Sequence, residues 1–427
     1  MLFQKINQNE TSYEYSENIF LNVIRKSEEI HQKTDVMIIG GGLLGFSCGL
    51  ELLKMGFSVT IIDKEQIGAK QSARSGGQLW PGFEMSFSEM FKKYGKTISL
   101  EAHELIHQAI IEIHQKIEEI GDCDFVSGLL LMSKTNQQKK WIDSEVNILQ
   151  KYQLDAQYIE KNKINNYINT EYYHNGVIFG ENKKTYGHLN PKKYLFKIVK
   201  KYQELGGLVF EKCEAIKINK KNHHYEIITN QWKIEANQVI LGTGAEAITF
   251  IQKKRTIIPL QTIIVCSETI SKELANQLLP KNNCFCDASD ISMNYGRIIK
   301  VNQEYKMTLG GADALTQITK SLDIIKIKKE LIKIFPIFEQ IKIENIWGGK
   351  CDVTLNNLPF IDEIDNNLYI AHGFSGQGLV ATHLYAKAIV ESICENKDKI
   401  NFLKNLNPDN YHQNKIMAML QKMLNTI

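Results

Sequence analysis

The chain is poor in arginine. Of its 51 basic residues only Arg25, Arg74, Arg255 and Arg297 are arginines, so the place of each one matters. A charge excess is also missing. A net charge of +3 over 427 residues offers no concentrated basic face of the kind nucleic acid or an anionic membrane requires, and no nucleic-acid partner is expected. Long apolar runs are missing too. The most apolar stretch, residues 36–53, holds several glycines and Glu51 and splits into strand, turn and helix, which makes it a poor membrane span. The first residues are acids and amides where a signal peptide needs an apolar core. Cys48, Cys123, Cys213, Cys266, Cys284, Cys286, Cys351 and Cys394 lack the dense spacing of a secreted disulfide scaffold, so a cytoplasmic location is expected. Cys284-Phe285-Cys286 is too close for a metal knuckle and has no second pair, which makes it structural. There is no internal repeat and no low-complexity segment. What remains, 43% hydrophobic and 23% charged, is the balance of an ordinary globular protein with roughly two to three domains' worth of chain.

The clearest unit present is "DVMIIGGGLLGFSCGLELLKMGFSVTIIDKE". It reads as a strand over 36–39, a glycine turn, a helix over 43–54, Gly56 as the stop, and a strand over 59–62. Both strands are short apolar runs, as in a parallel sheet covered on both faces. Gly40-x-Gly42-x-x-Gly45 sits at the turn. The first glycine permits the bend, the second lets backbone approach a pyrophosphate, and the third lets helix pack on strand. The helix N-terminus offers amides and a positive dipole end to phosphate. Asp63 ends the next strand about 20 residues on, where a carboxylate accepts from ribose hydroxyls. Strand, helix, second strand and acid together imply a dinucleotide site; glycines alone would serve equally as a structural β-α-β turn. Next comes "GAKQSARSGGQ", residues 68–78, nearly all small, with Arg74 in the middle. A large planar cofactor resting against backbone requires such loss of bulk, which favours FAD over NAD.

An amphipathic helix is expected over 97–120, with Leu105, Ile106, Ala109, Ile110, Ile113 and Ile117 on one face. Asn190-Pro191 opens a second helix, carrying Leu195, Ile198, Val199, Tyr202 and Leu205 and ended by Gly206-Gly207. Strands follow over 215–218, 225–229 and 232–234, then "QVILGTG", a buried strand ending in Gly242 and Gly244. Further β-like runs cover 257–266, 296–301 and 305–309, and a lysine-rich helix covers 322–334. "NLYIAHGFSGQGLVATHLYAKAIVESI" repeats strand, glycine loop and helix. The fold class is therefore α/β. A Rossmann-like FAD-binding domain (35–95, 185–255 and 345–397) is interrupted by a substrate domain with a mainly antiparallel sheet (96–184 and 256–344). A surface arm over 1–34 and a helical tail over 398–427, with a Met417, Leu420 and Met423 stripe, complete it. One competing motif is present: His103-Glu104-Leu105-Ile106-His107 is a literal H-E-x-x-H, a zinc-peptidase signature, though without the glycine-spaced third histidine of the metzincins. An acid such as Glu118 stays open as third ligand, against a solvated helix face with His114.

The stretches "IIGGGLLG", "GAKQSARSGGQ", "GHLNPKKY", "VILGTGA", "WGGKCDVTLNNLP" and "GFSGQG" resemble the FAD-dependent amine and amino-acid oxidoreductases of the D-amino-acid oxidase/sarcosine oxidase superfamily. Within it the chain looks most like the gamma-glutamylputrescine oxidase group, from "TSYEYSENI" to about Glu391. Lys70-Gln71 departs from the group, where small residues are usual. The resemblance implies that Gly40, Gly42, Leu44, Gly45 and Asp63 hold the ADP half of FAD. Arg74, Ser75, Gly76, Gly77 and Gln78 line the flavin and phosphates, Ala215 touches the adenine side, and Thr243-Gly244 packs near the pyrophosphate. Gly373, Phe374, Ser375, Gly376, Gln377 and Gly378 approach the isoalloxazine, with the following helix pointing its N-terminus at the cleft.

Substrate candidates are Tyr295 and Arg297, which alternate on one strand and share a face, with Trp80 and Trp347 as flanking aromatics. The Arg297 guanidinium would suit a substrate carboxylate. In sarcosine-oxidase-like members a cysteine three residues before a threonine carries the flavin. Cys351-Asp352-Val353-Thr354 has that spacing, but Trp347-Gly348-Gly349 and Asn356/Pro359 follow the other group, so non-covalent FAD is expected. The implied activity is oxidation of a C–N bond in a small amine or amino acid by hydride transfer to flavin, the imine then hydrolysing, with dioxygen as acceptor giving hydrogen peroxide. A flavin dehydrogenase with a quinone or protein acceptor, and a flavin-binding assembly factor without turnover, are the alternatives. No catalytic residue and no oligomeric state is read from the chain.

Overall fold

The computed structural model describes residues 33–250, 258–288, 293–314, 320–354 and 356–406. The expected arm (all but its last two residues), Arg25, Arg255 and the Met417 to Met423 stripe lie outside them. The described residues fall into two compact units, one of 33–125, 189–260 and 350–406, the other of 126–188 and 261–349.

The first unit is built on an eight-stranded sheet. Its centre is parallel. β1 (Lys33–Ile39) lies between β2 (Val59–Ile62) and the strand Lys233–Leu241, with Ile38 level with Ile61 and Ile240. Leu208–Phe210 extends it beyond β2, and Leu368–His372 beyond 239–241. Val36, Met37 and Ile38 are wholly buried, which is why β1 reads as an unbroken apolar run. The two strands expected over 232–234 and before Gly242 are one. The first part of Lys233–Leu241 pairs antiparallel with Tyr225–Thr229 and exposes one face, so its polar residues alternate without marking a turn.

Helix α1 (Leu43–Lys54) packs between the helices Pro191–Glu204 and Gly378–Ile393. Gly49 allows this approach: a Cβ there would lie 2.7 Å from the Tyr202 ring, whose hydroxyl donates to the Val59 carbonyl at 2.7 Å. The Asn190 side chain caps the Pro191 helix as expected, accepting from Lys193 N at 3.1 Å. Leu205, placed on its apolar face from sequence, is exposed, because it is the residue after the last helical turn.

Two further helices follow β2 in the chain. The short α2 (Gln71–Arg74) lies inside the small-residue run. The long α3 (Phe87–Ile120) starts ten residues before the expected helix, at a capping box formed by Ser86 and Glu89. It bends at Gly95, whose φ of +78° interrupts the helical pattern that the sequence shows. The expected stripe is inward, with Ile106, Ala109, Ile110 and Ile113 buried. Glu51–Lys116, Lys54–Glu119 and Glu112–Lys387 ion pairs tie α3 to α1 and to the Gly378 helix. Residues 96–125, grouped by sequence with the inserted segment, therefore pack in the first unit.

The second unit carries the other eight-stranded sheet, ordered Ile343–Val353, Ile258–Ser267, Glu304–Ala314, Tyr295–Val301, Cys284–Asp287, Leu129–Ser133, Asn175–Phe179 and Ala156–Ile159. From Ile258–Ser267 onward the pairs are antiparallel, except Cys284–Asp287 beside Leu129–Ser133. Phe285, Leu331, Phe335 and Phe338 are among the buried residues of its core. The thiols of Cys284 and Cys286 are buried and face the Gly128 and Leu130 carbonyls, a structural use.

Replacing Gly by Ala inside a helix ordinarily gains about 1 kcal/mol. Gly49→Ala should instead lose about 1–3 kcal/mol through overpacking against Tyr202. Denaturant unfolding checks the sign, and a gain would refute the close helix contact.

Candidate functional site

The glycine turn is held by backbone crossing backbone. Gly40 N donates to Ile62 O and Gly242 N to Ile39 O, both at 2.8 Å. Gly40 has φ +114°, and a Cβ there would lie 2.4 Å from the Gly242 carbonyl. A Cβ on Gly45 would lie 2.1 Å from the Gly40 carbonyl. No side chain fits at either place. Gly42 is the N-cap of α1, without a side-chain cap. Asp63 follows β2. Its two oxygens accept from Gly41 N and Glu65 N at 2.8 Å each, and each retains a further lone pair for a ribose hydroxyl. Burial raises its pKa despite those two amides. Ala215, buried at the start of its strand, follows Cys213, whose amide donates to the Asp63 carbonyl at 2.8 Å.

The run 68–78 folds over this turn, and it is not a plain loop. Ser72 in α2 accepts from Leu43 N at 3.0 Å, so its hydroxyl rests on the first turn of α1. Ser72 was not singled out in the sequence, although a small hydroxyl residue in such a run is the available signal. Gln71, part of the departure from the group, donates to the Lys350 carbonyl. Arg74 ends α2, half-buried, with its guanidinium on the Ala69 carbonyl at 3.3 Å. Ser75 turns the chain out of the helix; Gly76 follows, and Gly77 (φ +76°) accepts from Leu189 N at 2.8 Å. Gln78 and Trp80 are half-buried.

Beyond Gly242, Gly244 takes φ +57°, and the Thr243 hydroxyl oxygen is shut from solvent with no partner among the described residues. A buried hydroxyl in that state is an unusual feature that a ligand would relieve. Gly373, Ser375 and Gly376 have φ of +77°, +50° and +91°, so three of four consecutive residues are left-handed. The Phe374 ring meets Tyr385 edge-on at 5.6 Å. Gln377 caps the Gly378–Ile393 helix by position only; its amide side chain donates instead to Glu84 at 2.7 Å. The helix begins at Gly378, so the first-turn amides come directly after the loop. Glu84 and Asp352 are the two carboxylates at this loop that sequence reasoning missed. Asp352 accepts from Gly373 N at 2.5 Å, and burial raises it to about 6. Cys351 precedes it on the strand.

This cradle fits FAD: a tight glycine turn whose N-cap, Gly42, has no side chain to block the helix start, and an unpartnered buried hydroxyl beside it.

The other substrate candidates lie in the second unit. Tyr295 and Arg297 share a face of Tyr295–Val301, opposite Gly310 and Thr308. The Tyr295 hydroxyl reaches Thr262 at 3.2 Å across Gly310, where a Cβ would lie 2.1 Å from the ring. Arg297 is 4% exposed, and its Nη1 donates to His188 Nδ1 at 2.9 Å. Nε2 of His188 therefore carries the proton and donates to the Asn282 carbonyl at 2.9 Å. Burial, then the Arg297 charge, lowers the His188 pKa to about 3. Trp347 packs with Ile264, Cys266, Ile299 and Val301.

The H-E-x-x-H histidines do not form the solvated face set against zinc. His103 meets Phe87 edge-on at 5.3 Å and stacks with His107 at 6.5 Å, while His114 meets Phe125 at 4.6 Å. Burial and the neighbouring His107 lower His103 to about 4. Among the described residues no group of three or more His, Cys, Asp or Glu is placed to hold a metal ion. No helix among them is long and apolar enough to cross a membrane.

A model of the FAD dependent oxidoreductase family matches residues 35–392. The chain is 28% identical over 400 residues to the probable oxidoreductase OrdL of Haemophilus influenzae, covering 91% of this chain and 89% of that protein. It is 24% identical to the gamma-glutamylputrescine oxidoreductase of Escherichia coli, covering 87% and 86%. The fold matches that of L-proline dehydrogenase from P. horikoshii with a TM-score of 0.72, at 20% identity, covering 87% and 96%. The chain belongs to the FAD-dependent oxidoreductase family, and its cofactor is FAD.

His188 should stay neutral down to about pH 3. Its pKa is depressed, so its contribution to stability is complete above about 6.5 and is lost as pH falls toward 3, by up to about 1.4 kcal/mol per pH unit. Arg297→Met should raise the pKa by removing the adjacent charge. NMR titration reads both, and a wild-type His188 titrating near 6.5 would refute the pairing.

Proposed function

We propose that this member of the family oxidises a carbon–nitrogen bond of a small amine or amino acid. The observation that carries the reading is the tight glycine turn at Gly40, Gly42 and Gly45, with the unpartnered Thr243 hydroxyl beside it and the left-handed 373–376 turn, which support a dinucleotide site. The choice of a nitrogen substrate is supported by the relatives, among them a gamma-glutamylputrescine oxidoreductase, and by a fold shared with an L-proline dehydrogenase. FAD, when bound, supplies a two-electron acceptor for the hydride leaving the carbon beside nitrogen, and the oxidised product hydrolyses to a carbonyl compound and an amine or ammonia.

The chain's own residues bind and orient. The first-turn amides of α1 after Leu43 would hold the pyrophosphate, and Asp63 would take a ribose hydroxyl. Arg74 supplies fixed positive charge beside phosphate, flavin or substrate. The N-terminus of the Gly378–Ile393 helix, 16 residues long, would hold the flavin ring with its positive dipole end, which favours negative charge there. Arg297, held by His188, recognises a substrate carboxylate. The substrate nitrogen reacts unprotonated. Dioxygen is the electron acceptor. The flavin is non-covalent: Cys351 and Asp352 alternate on their strand, and the Asp352 side is the one that meets the 373–378 loop. None of the eight cysteines, all among the described residues, forms a disulfide, which supports a reducing compartment.

The purified protein should be yellow, and an amine or amino acid should bleach it anaerobically, with hydrogen peroxide formed when air returns. Bleaching without peroxide in air would replace dioxygen by another acceptor. Yellow protein that no amine bleaches would support flavin binding without turnover. Acid precipitation should leave a colourless pellet. Arg74→Ala should lower flavin retention or turnover about tenfold or more, the loss of a charged contact of about 1.5–3 kcal/mol, with little change in thermal unfolding. Full colour and full rate in that variant would remove Arg74 from the site.

A further inference from the structure

The 373–376 turn is costly backbone that something must hold in place. Ser375 is not glycine yet has φ +50°, a region that disfavours L side chains. Phe374 is anchored by Tyr385, but ring packing does not define the direction of the peptide amides. Those amides converge on one residue. The Asp352 carboxylate accepts from Gly373 N at 2.5 Å and from Phe374 N, and the Asp352 carbonyl accepts from Ser375 N at 3.1 Å. Successive amides around left-handed residues form an anion-binding nest, and here the chain places its own carboxylate on two of them, Gly373 N and Phe374 N, while its backbone carbonyl takes the third.

The segment that carries Asp352 also lies against the other candidate stretches. Its Oδ2 lies 3.9 Å from where a Gly244 Cβ would stand, beside the unpartnered Thr243 hydroxyl. Gln71 of the 68–78 run grips the Lys350 carbonyl, two residues before it. Thr354, two residues after it, donates its amide to Ser375 Oγ at 3.2 Å and its hydroxyl to the Leu358 carbonyl at 2.8 Å. One short segment, 350–354, thus bonds to two separate walls of the cradle and lies beside Gly244. Its carboxyl is an awkward means of doing so, because burial raises it to about 6. An acid raised in the fold favours folding below its unfolded pKa and loses that contribution as pH rises through about 6. At neutral pH its ionisation therefore costs the fold stability relative to a neutral group of the same shape.

We propose that Asp352 is a positioning residue for FAD: by accepting from the Gly373 and Phe374 amides its carboxylate sets the loop, so that the first-turn amides of the Gly378 helix are the donors presented to the cofactor. The inference rests on the FAD reading above. It makes Asp352 a contributor to cofactor binding that works against the stability of the empty fold.

The test compares wild type, Asp352→Asn and Asp352→Ala as apoproteins at pH 8, by thermal unfolding, FAD titration followed by fluorescence, and visible circular dichroism of the bound flavin. Asp352→Asn should unfold at the wild-type temperature or above, since it removes a buried charge. Its FAD dissociation constant should rise about tenfold or more, with an altered flavin dichroism. Asp352→Ala should bind FAD at least as weakly as Asp352→Asn. Unchanged affinity and dichroism in Asp352→Asn, with wild type binding FAD, would overturn the proposal alone. So would a fall in unfolding temperature parallel to the loss of affinity, the mark of an ordinary structural carboxylate. A wild-type protein that takes up no FAD would overturn the cofactor reading and this proposal with it.

Discussion

The first unit depends on one contact, the crossing of two chain segments at Gly40 and Gly242. The Gly242 amide donates to Ile39 O, and the Gly40 Cα faces the Gly242 carbonyl so closely that a Cβ would reach within 2.4 Å. That crossing ends β1 and the strand Lys233–Leu241 at the same level. It opens α1 beside both strand ends and leaves Thr243-Gly244 next to the helix start. Gly45 then folds back over the Gly40 carbonyl. A larger residue at either point would separate strand, helix and turn, and with them every later element of the cradle. Ser72 and Asp63 close the same turn from outside through the Leu43 and Gly41 amides.

Buried charge is the second recurring constraint. Asp63, Asp352 and His188 sit where burial disfavours their charged forms, and the structure answers each differently. Asp63 and Asp352 receive backbone amides, which lower the cost without removing it. His188 stays neutral by accepting from a guanidinium and donating to a carbonyl. The result is two carboxylates aimed at amide-rich turns in one unit and an arginine of fixed orientation in the other.

Much of this was legible in the sequence because the controlling residues are local. The turn from Ile39 to Leu43 needs glycine at fixed offsets, and the apolar run of β1 follows from burial on both faces, so strand, helix and second strand could be read to within a few residues. The Asn190 cap is equally local. Errors arose where distant chain decided the outcome. The capping box at Ser86 and the kink at Gly95 hid the start of α3. The long strand Lys233–Leu241 looked like two because its neighbours change along its length. Leu205 fitted the helical period but fell beyond the last turn.

Composition and spacing by themselves determined the dinucleotide turn, the small-residue run and the glycine loop at 373–378, because close backbone approach selects residues one at a time. Tertiary structure alone decided what those segments do to one another. Ser72 reaches α1 across 29 positions, Glu84 reaches Gln377 across 293, and Asp352 reaches Gly373 across 21. A lone serine, glutamate or aspartate carries no periodic signal, and its partner is an amide or a side chain brought beside it only when the sheet closes. The chain therefore announces where backbone must be bare, and only the fold reveals which carboxylates hold that bare backbone in place.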